Sequence, residues 1–299
     1  LGDVYKRQVD IKGRGGFMLK EIYFRLKSDT ADALREKMDL LLADLAAHGV
    51  TVSGLEESEK HTGYENKKEE IMYLTDQEKV YDSLRSGGCY VLPCLHEKNR
   101  GEVFSGAAYA VERLEETDYA SLDMAYRRLA GLPWEILETD RLLVRETTVQ
   151  DVDCFYQIYA QPSVTDYTEA LFEDIDEEIA YTESYIDTVY AFYGYGMWTV
   201  IKKDSREVIG RAGISWREGY RLPELGFVIG VPWQRQGYAF EVCSAILHYA
   251  GEELEMTQVQ ALVQPENARS VRLCEKLGFT KGGETKVDGI RHLVFVKTL

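Results

Sequence analysis

The apolar positions in the first half of the chain change period several times. Leu19 to Leu26 alternates weakly around Ile22, Tyr23 and Phe24 and predicts a short strand. From Thr30 to His48 the spacing becomes helical. Leu34, Met38, Leu41, Leu42 and Leu45 recur at helical spacing, Asp29 or Thr30 can cap the helix, and Gly49 ends it. Val50 to Ser53 predicts a second strand, and the dense charge from Glu56 to Glu70 predicts a loop or a solvated helix. Ile71 to Leu74 then reads as a buried strand ending in Thr75-Asp76, Glu78 to Arg85 as a short helix stopped by Gly87-Gly88, and Cys89 to Leu95 as another buried strand. Tyr119 to Leu129 places Leu122, Ala125, Tyr126 and Leu129 on one helical face. Strands alternating with helices predict a parallel α/β sheet.

Gly131-Leu132-Pro133-Trp134 interrupts this rhythm, and a domain boundary is expected at residues 131–138, dividing a smaller α/β domain (18–135) from a second domain (138–299). The second half predicts a strand at Arg141–Glu146, helices at Val149–Tyr159 (capped by Thr148 or Asp151) and Ile175–Tyr190, and strands at Trp198–Lys202, Glu207–Trp216 and Leu222–Gly230. A helix at Tyr238–Tyr249, a strand at Gln258–Val263 and a helix at Ala268–Lys276 follow. Two last strands, Thr280–Lys286 and Arg291–Lys297, are joined by the turn Asp288-Gly289.

Composition narrows the classes. With 299 residues and 45% apolar content, the chain suits two domains with two cores. A formal charge of -16 argues against nucleic acid as a partner, since phosphate binding rests on Lys and Arg. It suits cationic ligands such as protonated amines, and equally suits plain solubility. Five scattered cysteines without a CxxC pair suggest neither a zinc site nor a disulfide framework and fit a reducing cytoplasm; no metal is expected. No apolar run approaches the roughly 20 residues that span a bilayer, so no membrane partner is expected. Residues 1–17 are expected to be a non-native leader: LGDVYKRQ resembles translated adapter sequence, and KGRGGF before Met18 resembles a translated ribosome-binding site.

The segment from Glu224 to Glu241 carries the chemistry. An apolar strand, Leu225 to Ile229, meets a bend at Gly230 and Pro232. Then come Gln234-Arg235-Gln236-Gly237-Tyr238-Ala239 and a helix. A strand feeding a tight turn at a helix N-terminus exposes unpaired N–H groups, and the helix dipole behind them favours phosphate. Gly237 allows close backbone approach, Ala239 keeps the first turn small, and Arg235 and Gln234 are candidate side-chain donors. The segment is neither a P-loop nor a GxGxxG turn, and an ordinary β-to-α turn is the competing reading.

Gln234 to Ala239 resembles the Q/R-x-x-G-x-G/A signature of the GNAT acetyltransferases. Asn267 to Phe279, NARSVRLCEKLGF, resembles that family's second motif. Thr139 to Arg145 resembles its first strand, and Glu224-Leu225-Gly226-Phe227 its E-x-G-Y/F strand. The resemblance covers about 138–299 and is nearest the ribosomal-protein N-terminal acetyltransferases. It implies an α/β GNAT fold, a mixed central sheet with flanking helices. It also implies acetyl-CoA as co-substrate and an amine acceptor, either a peptide N-terminus or a small amine. By the same resemblance, the backbone from Gln234 through Arg235, Gln236, Gly237 and Tyr238 to Ala239 holds the CoA pyrophosphate. Phe227, Val228 and Ile229 pair with the pantetheine arm, with a bulge near Gly230 splaying the strands, and Asn267 bonds to the same arm. Glu224 is the candidate base for the amine, against the alternative of a solvent-facing strand end. Cys274 stands where relatives often carry a tyrosine acid, so the competing reading there is a packing thiol.

Asp76, the Gly pair and Glu97-Lys98-Asn99-Arg100 faintly resemble the later part of a haloacid-dehalogenase-like phosphatase, but the first domain has no DxDx[TV] nucleophile motif. It is expected to be degenerate and non-catalytic. Two rivals to the acetyltransferase remain: a phosphatase with an accessory GNAT-like module, and a non-catalytic CoA-sensing regulator.

Overall fold

The computed structural model describes residues 18–35, 37–54 and 68–299. The leader expected at 1–17 and most of the charged stretch Glu56–Glu70 lie outside the described residues. The chain divides into two compact units between Trp134 and Glu135.

In the first unit β1 (Glu21–Arg25), β2 (Thr51–Ser53), β3 (Ile71–Thr75) and β4 (Tyr90–Pro93) form a sheet of order β2-β1-β3-β4. Every pairing is parallel. Alternation along the strands decides the layers. Ile22, Phe24, Met72 and Leu74 join one core with Met38, Leu41, Leu45, Leu122 and Tyr126. Tyr23, Tyr73 and Val91 turn to the opposite face and meet Tyr81 and Leu84. Helices α2 (Asp39–Ala47) and α4 (Tyr119–Leu129) therefore cover one face and α3 (Glu78–Ser86) the other. The single helix expected over Thr30–His48 is two: α1 (Ser28–Arg35) ends before α2 begins, and Met38 is the buried cap between them.

The second unit is built on one eight-stranded sheet of order β11-β12-β10-β9-β8-β7-β6-β5. Its strands are β5 (Glu135–Glu138), β6 (Leu142–Arg145), β7 (Met197–Lys202), β8 (Val208–Ser215), β9 (Glu224–Ile229), β10 (Gln258–Val263), β11 (Thr280–Val287) and β12 (Ile290–Thr298). β5 is an addition to the expected order. It pairs antiparallel with β6 across the Thr139–Leu142 turn. α7 (Tyr238–Glu252) lays Val242, Cys243, Ile246, Leu247 and Ala250 on one face of the sheet, against Val200, Ala212 and Leu225. α8 (Ala268–Lys276) packs beside it, with Cys274 turned inward. In the last hairpin Asp288 (φ 49°) and Gly289 (φ 80°) both take left-handed backbone, as a type I′ turn requires.

The opposite face carries α5 (Val152–Tyr159) and α6 (Ile175–Tyr185). Thr148 and Asp151 cap reciprocally the 3-10 turn Val149–Asp151 that leads into α5, and Arg145 grips Asp151 through two 2.7 Å bonds, which ties the helix start to β6. The expected helix over Ile175–Tyr190 is helical throughout: it is α-helical to Tyr185, widens into a π-turn, Ile186–Tyr190, and resumes as α-helix over Ala191–Tyr193. The widened turn sets two phenols on one β7 residue. The Met197 N–H donates to the Tyr185 hydroxyl (2.8 Å), and the Tyr190 hydroxyl donates to the Met197 carbonyl.

Candidate active site

β9 pairs with β8 over six residues, Glu224 to Ile229, without a register shift. With β10 it shares one parallel pair, Gln260 with Glu224. On its other edge β10 pairs with β12 along its whole length, Gln258 to Val263. The two central strands thus splay from Glu224 onward. This corrects the expected cause, since no bulge near Gly230 opens them, and the Gly230 N–H continues the ladder to the Ile209 carbonyl (2.9 Å). The β9 edge facing the gap can pair with an extended amide-bearing ligand, although its Ile229 carbonyl already accepts from Gln234 Nε2.

At the wide end of the gap, Gly237 caps α7 in left-handed backbone (φ 87°), and Arg235 is also left-handed (φ 62°). Nearest to a Cβ built at Gly237 is a guanidinium nitrogen of Arg141 at 3.4 Å, so backbone conformation rather than space demands glycine there. The N–H groups of Arg235, Gln236, Gly237, Tyr238 and Ala239 find no acceptor among the described residues. Five adjacent donors at a helix N-terminus form a ready anion cradle. Arg235, Arg269, Arg272 and Lys276 line the same cleft, of ≈ 810 Å³, with Phe227, Val228 and Ile229. The Gln234 side chain is not the spare donor expected from the sequence. Its Nε2 donates to the Ile229 carbonyl (2.9 Å) and its Oε1 accepts from Arg269 (2.9 Å), so it braces the turn. Tyr238 is 5% exposed and serves the turn through its backbone.

A clamp that local sequence did not reveal holds the turn in place. Glu241 accepts from the Thr139 hydroxyl (2.6 Å) and from Arg141 Nε (2.7 Å), and Arg141 Nη1 donates to the Gln236 carbonyl (3.1 Å). Burial alone raises the Glu241 pKa, but the Thr139 and Arg141 bonds outweigh it and hold the carboxyl below its usual range. The Arg141 guanidinium also stacks 4.2 Å from the Tyr238 ring centroid.

Asn267 caps α8 by accepting from the Ser270 N–H (3.2 Å). Its oxygen is committed, and its amide nitrogen remains as a donor at the edge of the cleft. Glu224 is half-buried rather than solvent-facing; Arg217 Nε donates to Oε2 (2.8 Å), and Oε1 has no partner among the described residues. Cys274 is 1% exposed inside the main core, and burial pushes its thiol up to about 12. A second cleft, of ≈ 690 Å³, opens on the other side of β9 and shares Phe227, Val228 and Asn267 with the first. Glu224, Arg211, Tyr159 and Tyr185 line it.

In the first unit Asp76 is fully buried at the end of β3. Oδ1 accepts from the Lys27 N–H (2.9 Å), and Oδ2 accepts from the Thr30 hydroxyl (2.7 Å) and lies 3.1 Å from His96 Nε2. Asn99 Nδ2 donates to the Asp76 carbonyl (3.2 Å). Among the described residues no group of three His, Cys, Asp or Glu side chains is placed to hold a metal ion. No helix among them is long and apolar enough to cross a membrane.

Residues 141–280 match the family model of the acetyltransferase (GNAT) domain. The chain is 34% identical over 154 residues to "Uncharacterized N-acetyltransferase YoaA" of Bacillus subtilis (strain 168), covering 50% of this chain and 84% of that one. It is 28% identical over 174 residues to the "[Ribosomal protein uS5]-alanine N-acetyltransferase" of Escherichia coli (strain K12), covering 54% of this chain and 88% of the relative. Among solved structures, the acetyltransferase (GNAT family) from Bacillus anthracis aligns with TM-score 0.47 at 21% identity, over 54% of this chain and 97% of that one.

Proposed function

The chain belongs to the GNAT acetyltransferase family, and we propose that it transfers acetyl from acetyl-CoA to a primary amine by direct attack in a ternary complex. One observation carries the reading. A gap between two splayed strands ends at five adjacent unpaired N–H groups, with four cationic side chains around it. A pyrophosphate linked to an amide-bearing arm matches that arrangement in charge and hydrogen-bond pattern. The backbone of 234–239 holds the pyrophosphate, Phe227 to Ile229 take the arm, and Asn267 donates to it. We assign the transferase to residues 138–299.

The acceptor enters from the second cleft, so that amine and thioester meet across β9. The amine nitrogen bonds to the thioester carbonyl carbon, the C–S bond breaks, and the nitrogen loses a proton as the CoA sulfur leaves. A primary amine is mostly protonated at neutral pH, and Glu224 Oε1, free beside the cleft, accepts its proton directly or through one water. Cys274 is not the acid. Passing a proton from a thiol at about 12 to a thiolate of reference pKa near 8.5 is uphill by roughly 4–5 kcal/mol. Water or the proton shed by the amine serves the leaving group instead.

Asp76 does not offer the phosphatase alternative a nucleophile. The Asp76 carboxylate is fully buried and already bonded on both oxygens, so we read residues 18–135 as non-catalytic. The deciding experiment follows thiol release from acetyl-CoA with a panel of primary amines. Amine-dependent release is expected. CoA binding without release from any amine would instead identify the CoA-sensing regulator.

A further inference from the structure

Arg211 lies on the face of the sheet covered by α5 and α6, at the centre of β8, opposite Thr199 on β7 and Val228 on β9. Its guanidinium carbon sits 4.7 Å from the Phe155 ring centroid. Its Nε is buried and has no hydrogen-bond acceptor among the described residues. Among the described residues no carboxylate forms an ion pair with it. A guanidinium stripped of water at one nitrogen and given no counter-charge is costly unless a ligand supplies one. The guanidinium lines the second cleft between Tyr159 and Tyr185 and hydrogen-bonds to the Tyr159 hydroxyl, a neutral partner that leaves its charge uncompensated. Burial raises both phenols, and Arg211 opposes that rise in each, which places its charge beside both rings.

The rest of the cleft has the opposite sign. Arg217 is consumed by Glu224 (2.8 Å) and Glu169 (3.4 Å). Asp166, Glu178 and Asp288 also line the cleft, leaving Arg211 as its arginine without a carboxylate partner among the described residues. A dianionic phosphate would meet this acidic wall unfavourably. A ligand with one carboxylate and one ammonium matches both features, the carboxylate bidentate on the planar guanidinium and the ammonium toward the acids.

We propose that the acceptor is a small amine bearing a carboxylate, of the free amino acid type, and that Arg211 selects it by binding that carboxylate. The proposal rests on the acetyl-transfer reading and narrows its substrate class. A peptide N-terminus carries a neutral amide where the carboxylate would lie and is the disfavoured acceptor.

The test uses alanine, phenylalanine and lysine, each with its amide and its decarboxylated amine. Calorimetry on the CoA-loaded full chain reads binding without turnover. Thiol release from acetyl-CoA reads turnover. At least one acid should bind ten times more tightly than its amide and amine, with the difference in KM rather than kcat. Arg211→Met should abolish that preference, raising the KM of the acid to that of its amide. Arg211→Lys, which keeps the charge but loses the fork, should restore part of it. Melting temperature confirms that each variant is folded. Equal binding of acids and amides, or no binding of any acid, overturns the inference even where amides are acetylated rapidly. Acid-selective binding with no thiol release from any amine upholds the role of Arg211 and overturns acetyl transfer.

Discussion

Each unit contains a buried parallel or splayed strand running through a short turn into a helix, and the two turns end up chemically opposite. After β3, Asp76 collects donors from Lys27, Thr30 and His96, the Gln77 N–H bonds to the Thr75 hydroxyl (3.2 Å), and the Glu78 N–H at the helix start bonds to Glu102 (2.7 Å). That junction satisfies itself. After β9, the five N–H groups from Arg235 to Ala239 are left over, although the turn around them is braced by Gln234, Arg141 and Glu241. A strand-turn-helix outline therefore does not make a binding site. Surplus donors on a rigid turn do, because their missing partners are what a ligand supplies.

Breaking the closed junction should have the largest effect and should leave the open one alone. Asp76→Ala strands the Lys27 N–H, the Thr30 hydroxyl and the His96 ring nitrogen and should destabilise the first unit by about 3–5 kcal/mol, at the usual cost of about 1–3 kcal/mol for each buried polar group left unpaired. Denaturant unfolding measures it, and CoA affinity should stay within a few-fold. A loss of CoA affinity matching the loss of stability would show that the two junctions are not independent.

Filling the open junction comes next. Gly237→Glu puts a carboxylate at the anion cradle and a side chain on left-handed backbone (φ 87°). CoA affinity should fall well over tenfold, about 1.4 kcal/mol or more. Unchanged affinity by calorimetry would remove the turn from the site. A smaller effect is expected at Cys274, whose Ala variant should change turnover only a few-fold, on the order of 1 kcal/mol in the barrier. A thousandfold loss in a folded variant would restore the thiol as a catalyst.

The smallest effect concerns the clamp. The folded pKa of Glu241 is held below its ordinary 4.5, so its bonds stabilise the fold fully above that value and are lost as pH falls through the lowered folded pKa. Glu241→Gln should melt below the wild type at pH 7, and the gap should close as pH drops below about 4.5. A gap that widens in acid would mean that the carboxylate is not what fastens the turn.

Local pattern was enough wherever one element decided the outcome. β10 at Gln258–Val263, α8 at Ala268–Lys276 and the Asp288-Gly289 turn follow from period, cap and turn chemistry. The backbone of Gln234–Ala239 was legible because a turn motif is contiguous. Contacts between distant positions were not. Thr139, Arg141 and Glu241 meet across about a hundred residues, and Arg211 reads locally as one charge in an otherwise apolar strand. The Gln234 side chain was misjudged for the same reason, since its partner Arg269 lies 35 residues away. β5 was missed because its Glu-Ile-Leu-Glu pattern is too short to signal a strand without the β6 edge it joins. The π-turn at Ile186–Tyr190 has no local sequence signature; two tyrosines meeting Met197 fix it.

The central claim is that the donors left over after β9 hold the CoA pyrophosphate. Amide hydrogen exchange of the full chain, with and without CoA, tests it residue by residue. Exchange at 235–239 should slow markedly when CoA is added, while exchange at 71–99, around the closed junction, should not change. Protection elsewhere with no slowing at 235–239 would contradict the account.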